Sequence, residues 1–286
     1  PRQGVRGLQG RFAFQIFAIN KAQGTLGQLR NVADRIISTS DESDLWVPGQ
    51  VLLYCELGEH ARAQNALARL GELRRLPDDD LLEIALVYLS ESCLILGDRP
   101  RVRQLFEYLQ DYRGLNVTLP GTFMLGAVSG YLAELAAALG HPKQARRFFE
   151  EAIEMNSDMR AAPALARTRV EFARWLMAKG TVKERKRANE LVAQTLAPAR
   201  EMKLAPVLHA IGKIAAGGGS AQLTGREIDI LRTIATGASN KVIARTLSIS
   251  HSTVTTHIRN IFRKIGVGNR TEAADFARRC GLLERE

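Results

Sequence analysis

Four times along this chain a glycine closes an apolar helical pattern: Leu57-Gly58, Leu96-Gly97, Leu139-Gly140 and Lys179-Gly180, at intervals of 39, 43 and 40 residues. A glycine just past the last apolar turn closes a helix because it accepts the left-handed backbone at no steric cost. Its recurrence near every fortieth residue implies one supersecondary unit copied along the chain. A unit of that size cannot bury its own apolar stripes, so such a chain is constrained to stack neighbouring units. Each glycine divides two helical patterns. Counting back seven positions gives Val51, Ser90, Ala133 and Ala173, compact side chains of the kind that lets two helices cross closely. The second helix of each pair is expected to begin near Arg62, Arg101, Lys143 and Lys183. Tyr54, Tyr88, Tyr131 and Trp175 fall in or near the first helices and read as core in preference to ligand contacts. Arg62, Arg146 and Arg147 read as solvated faces.

The third unit, YLAELAAALGHPKQARRFFEEAIEMN, resembles a tetratricopeptide repeat. Leu132 and Ala133 lie in its first helix, Gly140 at the turn, and Ala145, Phe149 and Ala152 in its second. That resemblance implies a right-handed solenoid whose concave face takes peptides, proteins or small ligands. The segment 24–45 is a candidate degenerate repeat. Phe12–Ile19 follows three arginines, but it is short, contains Gln15 and lacks a cleavage site, so it reads as a core helix. Residues 1–216 are therefore expected to be one helical repeat domain with a sensing or interaction role.

A glycine-rich linker is expected over 217–222, where Gly217, Gly218, Gly219 and Ser220 follow the last helical pattern. Beyond it, residues 223–286 carry start and stop signals for four helices. Thr224 with Glu227 has the spacing of a capping box, and Leu223 with Ile228 that of a hydrophobic staple. The first helix would present Ile228, Leu231, Ile234 and Ala235 and stop at Gly237. Ser239 caps a short second helix with Ile243, Ala244 and Leu247 inward. Ser248-Ile249-Ser250 makes a turn, and Ser250 caps a third helix with Val254, Ile258, Ile261 and Ile265 on its buried stripe. Its opposite face carries Ser252, Thr255, Thr256, Arg259, Asn260 and Arg263: short hydroxyls first, basic groups later. That order suits a helix lying in the major groove of DNA. A fourth helix, capped by Thr271 and closed by Gly281, shows Ala273, Phe276, Ala277 and Cys280 on one stripe.

This module resembles the LuxR/FixJ-type helix-turn-helix domain across all four helices, in LTGRE, SNK-x-IA, S-x-S-x-x-TV-x-x-H-x-x-N-I, KIGV and RTEAA. The resemblance implies base-reading side chains at Thr255, Thr256 and Arg259, and phosphate contacts from Lys241, Thr253, His257 and Arg263. His257 also borders the buried stripe, which leaves a structural role equally open. Two positions depart from the family pattern. Thr255 stands in place of a usual lysine, and Val242 in place of a usual glutamate. Self-association through the repeats and the fourth-helix stripe Ala273, Phe276, Ala277 and Cys280 would pair recognition helices on adjacent half-sites.

Charge agrees with a DNA destination. Residues 223–286 hold 11 Lys+Arg against 6 Asp+Glu, a net +5, and the other 222 residues share the remaining +5 of the chain's +10. Positive density is thus more than three times higher in the module, as phosphate neutralisation requires. Cys55, Cys93 and Cys280 form no CxxC pair and lie in helical apolar patterns, which fits reduced thiols of a cytoplasmic protein without a membrane span. The histidines at 60, 141, 209, 251 and 257 are scattered, so no catalytic, cofactor or metal site is expected.

Helical repeats before such a module resemble the C-terminal part of MalT-like, ATP-dependent LuxR regulators. In that family a nucleotide-binding domain precedes the repeats. No GxxxxGK[ST] phosphate loop occurs here, and the chain begins with Pro1 in place of Met. Either the nucleotide-binding portion has been removed or this is a shorter relative; removal is the leading expectation. The overall expectation is an all-α protein, a repeat solenoid followed by a four-helix module, acting as a transcription activator. Double-stranded DNA, RNA polymerase, a second copy of the chain and an effector on the repeats would be its partners. The competing reading is a repeat-based interaction scaffold with an auxiliary DNA module.

Overall fold

The computed structural model describes residues 14–30, 43–71, 73, 81–119, 123–217, 223–265, 267–279 and 282. Most of the linker expected over 217–222, the segment 31–42 of the candidate degenerate repeat, and Cys280 and Gly281 lie outside them. The described chain is almost entirely helical, as the all-α expectation requires. It divides into two compact units, Pro1–Thr168 with Met202–Pro206, and Arg169–Glu201 with Val207–Glu286.

In the first unit, helix α1 (14–23) is followed by a short 3-10 turn at Leu26–Leu29. Phe14 and Phe17 of α1 are buried, so this stretch is a core helix, as read from the sequence. Helical pairs then follow: α2 (Ser43–Glu56) with α3 (His60–Leu70), α4 (Leu82–Leu96) with α5 (Arg99–Leu109), and α6 (Val128–Leu139) with α7 (Pro142–Asp158). The second helices start at His60, Arg99 and Pro142, one or two residues earlier than the sequence suggests. For α5 and α7 a side-chain cap or a proline in the first turn accounts for this. Asp98 accepts from the Arg101 backbone N–H, and Pro100 and Pro142 lie within the first two helical positions.

The recurring glycines do what their spacing implies. Gly58, Gly97, Gly140 and Gly180 have φ of 73, 71, 82 and 76°. After the first three, the next amide reaches back five residues: Glu59 to the Tyr54 carbonyl at 2.8 Å, Asp98 to Cys93 at 3.0 Å, His141 to Ala136 at 2.8 Å. That is the closing bond of a Schellman motif. First helices of successive pairs pack on one another, α2 on α4 and α4 on α6. Tyr54, Tyr88 and Tyr131 are buried there, as expected of core side chains. Cys55 and Cys93 are free and buried, and burial pushes their thiols up to about 11 and about 12.

Two features have no counterpart in the sequence reading. One is an ionic network on the first helices. Lys21 pairs with Glu91 at 2.7 Å, and Arg167 reaches Glu91 at 3.1 Å and Glu134 at 2.9 Å. Burial pushes the Glu91 carboxyl up, but Lys21 and Arg167 outweigh that and hold it below the usual carboxylate range. The other is an antiparallel hairpin, β1 (Asn116–Leu119) and β2 (Phe123–Ala127), between α5 and α6. Its register shifts between Val117 and Thr118. Gly126 (φ 104°) is obligatory there, because a Cβ would stand 2.5 Å from that of Ala164. Asn156 locks the hairpin to α7, accepting from the Ala127 N–H at 2.9 Å and donating to the Thr168 hydroxyl at 3.2 Å.

The second unit contains the C-terminal part of α8 (Ala162–Lys179), then α9 (Val182–Glu201), most of α10 (Ala205–Gly217) and four further helices. These are α11 (Gly225–Ala235), α12 (Asn240–Thr246), α13 (His251–Ile265) and α14 (Arg270–Arg279). Their shared core comprises Ile230, Leu231, Ile234, Ala235, Ile243, Val254, Ile261, Ile265, Ala273, Phe276 and Ala277. Ile230, and not Ile228, takes the inward position on α11. Among the described residues no helix is long and apolar enough to cross a membrane.

Candidate nucleic-acid interface

The module is built by short-range side-chain caps. Thr224 Oγ1 accepts from the Glu227 N–H at 3.3 Å and Glu227 Oε2 accepts from the Thr224 N–H at 2.8 Å, so both halves of the capping box form. Ser239 Oγ accepts from the Val242 N–H at 3.4 Å to start α12. At the head of α13, Ser250 Oγ accepts from the Thr253 N–H at 3.0 Å and lies 2.7 Å from the hydroxyls of both Ser252 and Thr253. Ser248 holds the turn before it with φ of 51°. The fourth cap departs from expectation. Asn269, not Thr271, starts α14: its Oδ1 accepts from the Glu272 N–H at 2.9 Å, and the Glu272 carboxylate accepts from the Gly268 N–H at 2.7 Å. Asparagine ranks above threonine at this position, which explains the shift.

Helix α13 is two-sided. Val254, Ile261 and Ile265 are buried and Ile258 packs partly against them, the stripe read from the sequence. Thr253, Thr255, Thr256 and Arg259 are exposed, and His257 is half-buried at the border. The side chain of Arg263 lies outside the described residues. Thr255 Oγ1 donates to the His251 carbonyl at 3.0 Å, so its proton is committed to its own helix. What it can offer a base edge is a methyl group and an accepting oxygen.

The other cations separate into two groups. Arg226 donates to the Leu247 carbonyl. Arg270 donates to Asn240 Oδ1 at 2.9 Å and to the Ala238 carbonyl, tying α14 to the start of α12. Lys264 Nζ reaches Glu227 Oε2 at 2.6 Å and joins the end of α13 to the start of α11. From α9, Asn189 donates to the Ile265 carbonyl at 2.6 Å, and Arg185 to that of Lys264, satisfying the last turn of α13. These groups hold the module together. Lys241, Arg245 and Arg259 are exposed and make no ion pair among the described residues. Arg245 was absent from the sequence-derived set. Its signal was its place four residues after Lys241, on the same face of α12.

Burial of Glu227 pushes its carboxyl up, but the Lys264 ammonium and the Thr224 N–H and hydroxyl outweigh that and hold it below the usual range. The expected self-association stripe has a different task. Ala273, Phe276 and Ala277 are 0, 6 and 0% exposed in the module's own core, so they leave no surface for a second copy. Apolar side chains at helical spacing are filling the nearest interior, which here is α11.

Residues 221–277 match the family model described as bacterial regulatory proteins, luxR family. The C-terminal module is a LuxR-family helix-turn-helix domain. Curated relatives are similar over 53 to 61 residues. The CsgBAC operon transcriptional regulatory protein of Escherichia coli is 55% identical over 58 residues, 20% of this chain and 27% of that protein. The uncharacterized transcriptional regulatory protein YhcZ of Bacillus subtilis is 52% identical over 61 residues, 21% of this chain and 28% of that one. The nitrate/nitrite response regulator protein NarL of Escherichia coli is 51% identical over 53 residues, 18% and 24% of the two chains. The chain thus spans about a quarter of the length of these relatives. No solved structure matches the chain significantly.

Proposed function

We propose that this chain is a bacterial transcription regulator that binds double-stranded DNA through α13 of its LuxR-family domain. The observation that carries the reading is the two-sidedness of α13. Its apolar face is locked in the core while Thr255, Thr256 and Arg259 stand exposed on the other. A rigid helix with short side chains near its start and a free arginine one turn on has the form of a major-groove reader. Thr255 and Thr256 read base edges, and Arg259 takes a guanine. Lys241, Arg245, Thr253, His257 and Arg263 hold phosphates, the hydroxyl cluster at the helix start offering an anion site.

The helical pairs act as the sensing region, tetratricopeptide-like in kind, in a cytoplasmic activator that engages RNA polymerase. On DNA the regulator acts as a homo-oligomer, through a surface other than Ala273, Phe276 and Ala277. Selection of bound sequences from a random DNA pool tests the reading, followed by affinity measurements between 50 and 200 mM salt. About four neutralised phosphates per module predict roughly a hundredfold loss of affinity over that range. A flat salt response with no enriched sequence would leave an interaction scaffold instead.

A further inference from the structure

The first unit holds an open cleft of about 550 Å³, lined by Arg113, Ser129, Glu151, Glu154, Met155 and Asp158 among others. This volume lies within the range of small-molecule sites. Its charge is opposite to that of the protein. Three carboxylates face one guanidinium, a net −2 lining in a chain of net +10. Arg113 is committed to Glu151, donating through Nε at 2.8 Å and through a second nitrogen, and Arg147 adds a 3.7 Å contact to Glu151. Glu154 and Asp158 are exposed one turn apart on α7 and make no ion pair among the described residues. Like charges four residues apart destabilise a helix, a cost that a bound cation removes.

A second, independent observation points into the same cleft. Ser129, in the first turn of α6, is 1% exposed, and its hydroxyl has no hydrogen-bond partner among the described residues. A buried hydroxyl without a partner is costly, and here it belongs to a residue that lines the same cleft as Glu154 and Asp158. Met155 and Met159 supply adaptable apolar surface between the polar groups.

We propose that this cleft is a binding site for a small aliphatic diamine. One ammonium is held by Glu154 and Asp158, the methylene stem lies along the methionines, and the second nitrogen donates to Ser129 Oγ. The two positive charges match the net −2 lining. This deepens the reading of the helical pairs as a sensing region and rests on it. The test uses the whole chain without DNA, so its failure is separate from failure of DNA recognition.

Putrescine is titrated by calorimetry at 150 mM salt, beside 1,4-butanediol and Mg²⁺, with wild type, Glu154→Gln/Asp158→Asn and Ser129→Ala. Wild type is expected to bind putrescine and not butanediol. The double variant should lose at least about tenfold in affinity, and Ser129→Ala about threefold to tenfold. Circular dichroism confirms that both variants fold. Binding of butanediol as strong as that of putrescine would overturn the proposal. So would a heat of Mg²⁺ binding as large as putrescine's, or putrescine affinity unchanged in the folded double variant.

Discussion

The inner helices of the first unit and the recognition helix of the second both carry charged side chains, but the two regions treat them in opposite ways. Glu91, Lys21, Arg167 and Glu134 are drawn into one partly enclosed network, each opposite a counter-charge. On α13 and α12, Arg259, Lys241 and Arg245 are exposed and make no ion pair among the described residues. A charge removed from water needs a partner to repay its desolvation. A cation left free retains its full capacity for an external anion. The first arrangement contributes to folding, and the second is the one that the proposed function uses for binding. Within the module the same division recurs, since Arg226, Lys264 and Arg270 are used on carbonyls and a carboxylate while their neighbours are not.

The comparison fails if both kinds of charge prove interchangeable. Glu91→Ala removes the carboxylate shared by Lys21 and Arg167, leaving Arg167 with Glu134 alone. It should destabilise the first unit by about 3 kcal/mol, read as a lower urea midpoint by circular dichroism. An effect below about 0.5 kcal/mol would mean that water already solvates the network. Arg259→Ala should behave in reverse. Its effect on stability should stay within about 0.5 kcal/mol, while binding to a selected DNA site weakens by about 1–3 kcal/mol at one base pair. Equal losses on selected and random DNA would reassign Arg259 to a phosphate.

What could be read from the sequence follows the range of the interactions. The caps at Thr224, Ser239 and Ser250 are three-residue devices, and the glycine closures six-residue ones, so local spacing reveals them. The buried stripe of α13 is likewise periodic and local. The Lys21–Glu91–Arg167 network joins residues some seventy positions apart and has no periodicity, so nothing in the sequence announces it. The hairpin did leave a trace, β-branched Val117 and Thr118 before Pro120-Gly121, inside the longest interval between repeat glycines. The stripe on α14 shows the limit of pattern reading. Periodicity says that Ala273, Phe276 and Ala277 are buried but not against what, and the partner proved to be the module itself.

The smallest effect tests the remaining paired charge in the module. Glu227 is 4% exposed and joins the capping box to Lys264. Its carboxyl is held below the usual range when folded and returns to that range when unfolded. A depressed acid contributes stability that is fully present above its unfolded value and is lost as pH falls through the folded one. Thermal unfolding of the chain should therefore show the module's transition constant near neutrality and falling only below about pH 4.3. Glu227→Gln keeps the shape but removes the charge, and should cost the module about 1 kcal/mol at pH 7. Below the folded value the acid is also neutral, so the two proteins should converge there. A constant gap between them down to pH 2 would show that the bond to Lys264 is packing alone, and that burial of charge in this module needs no ionised partner.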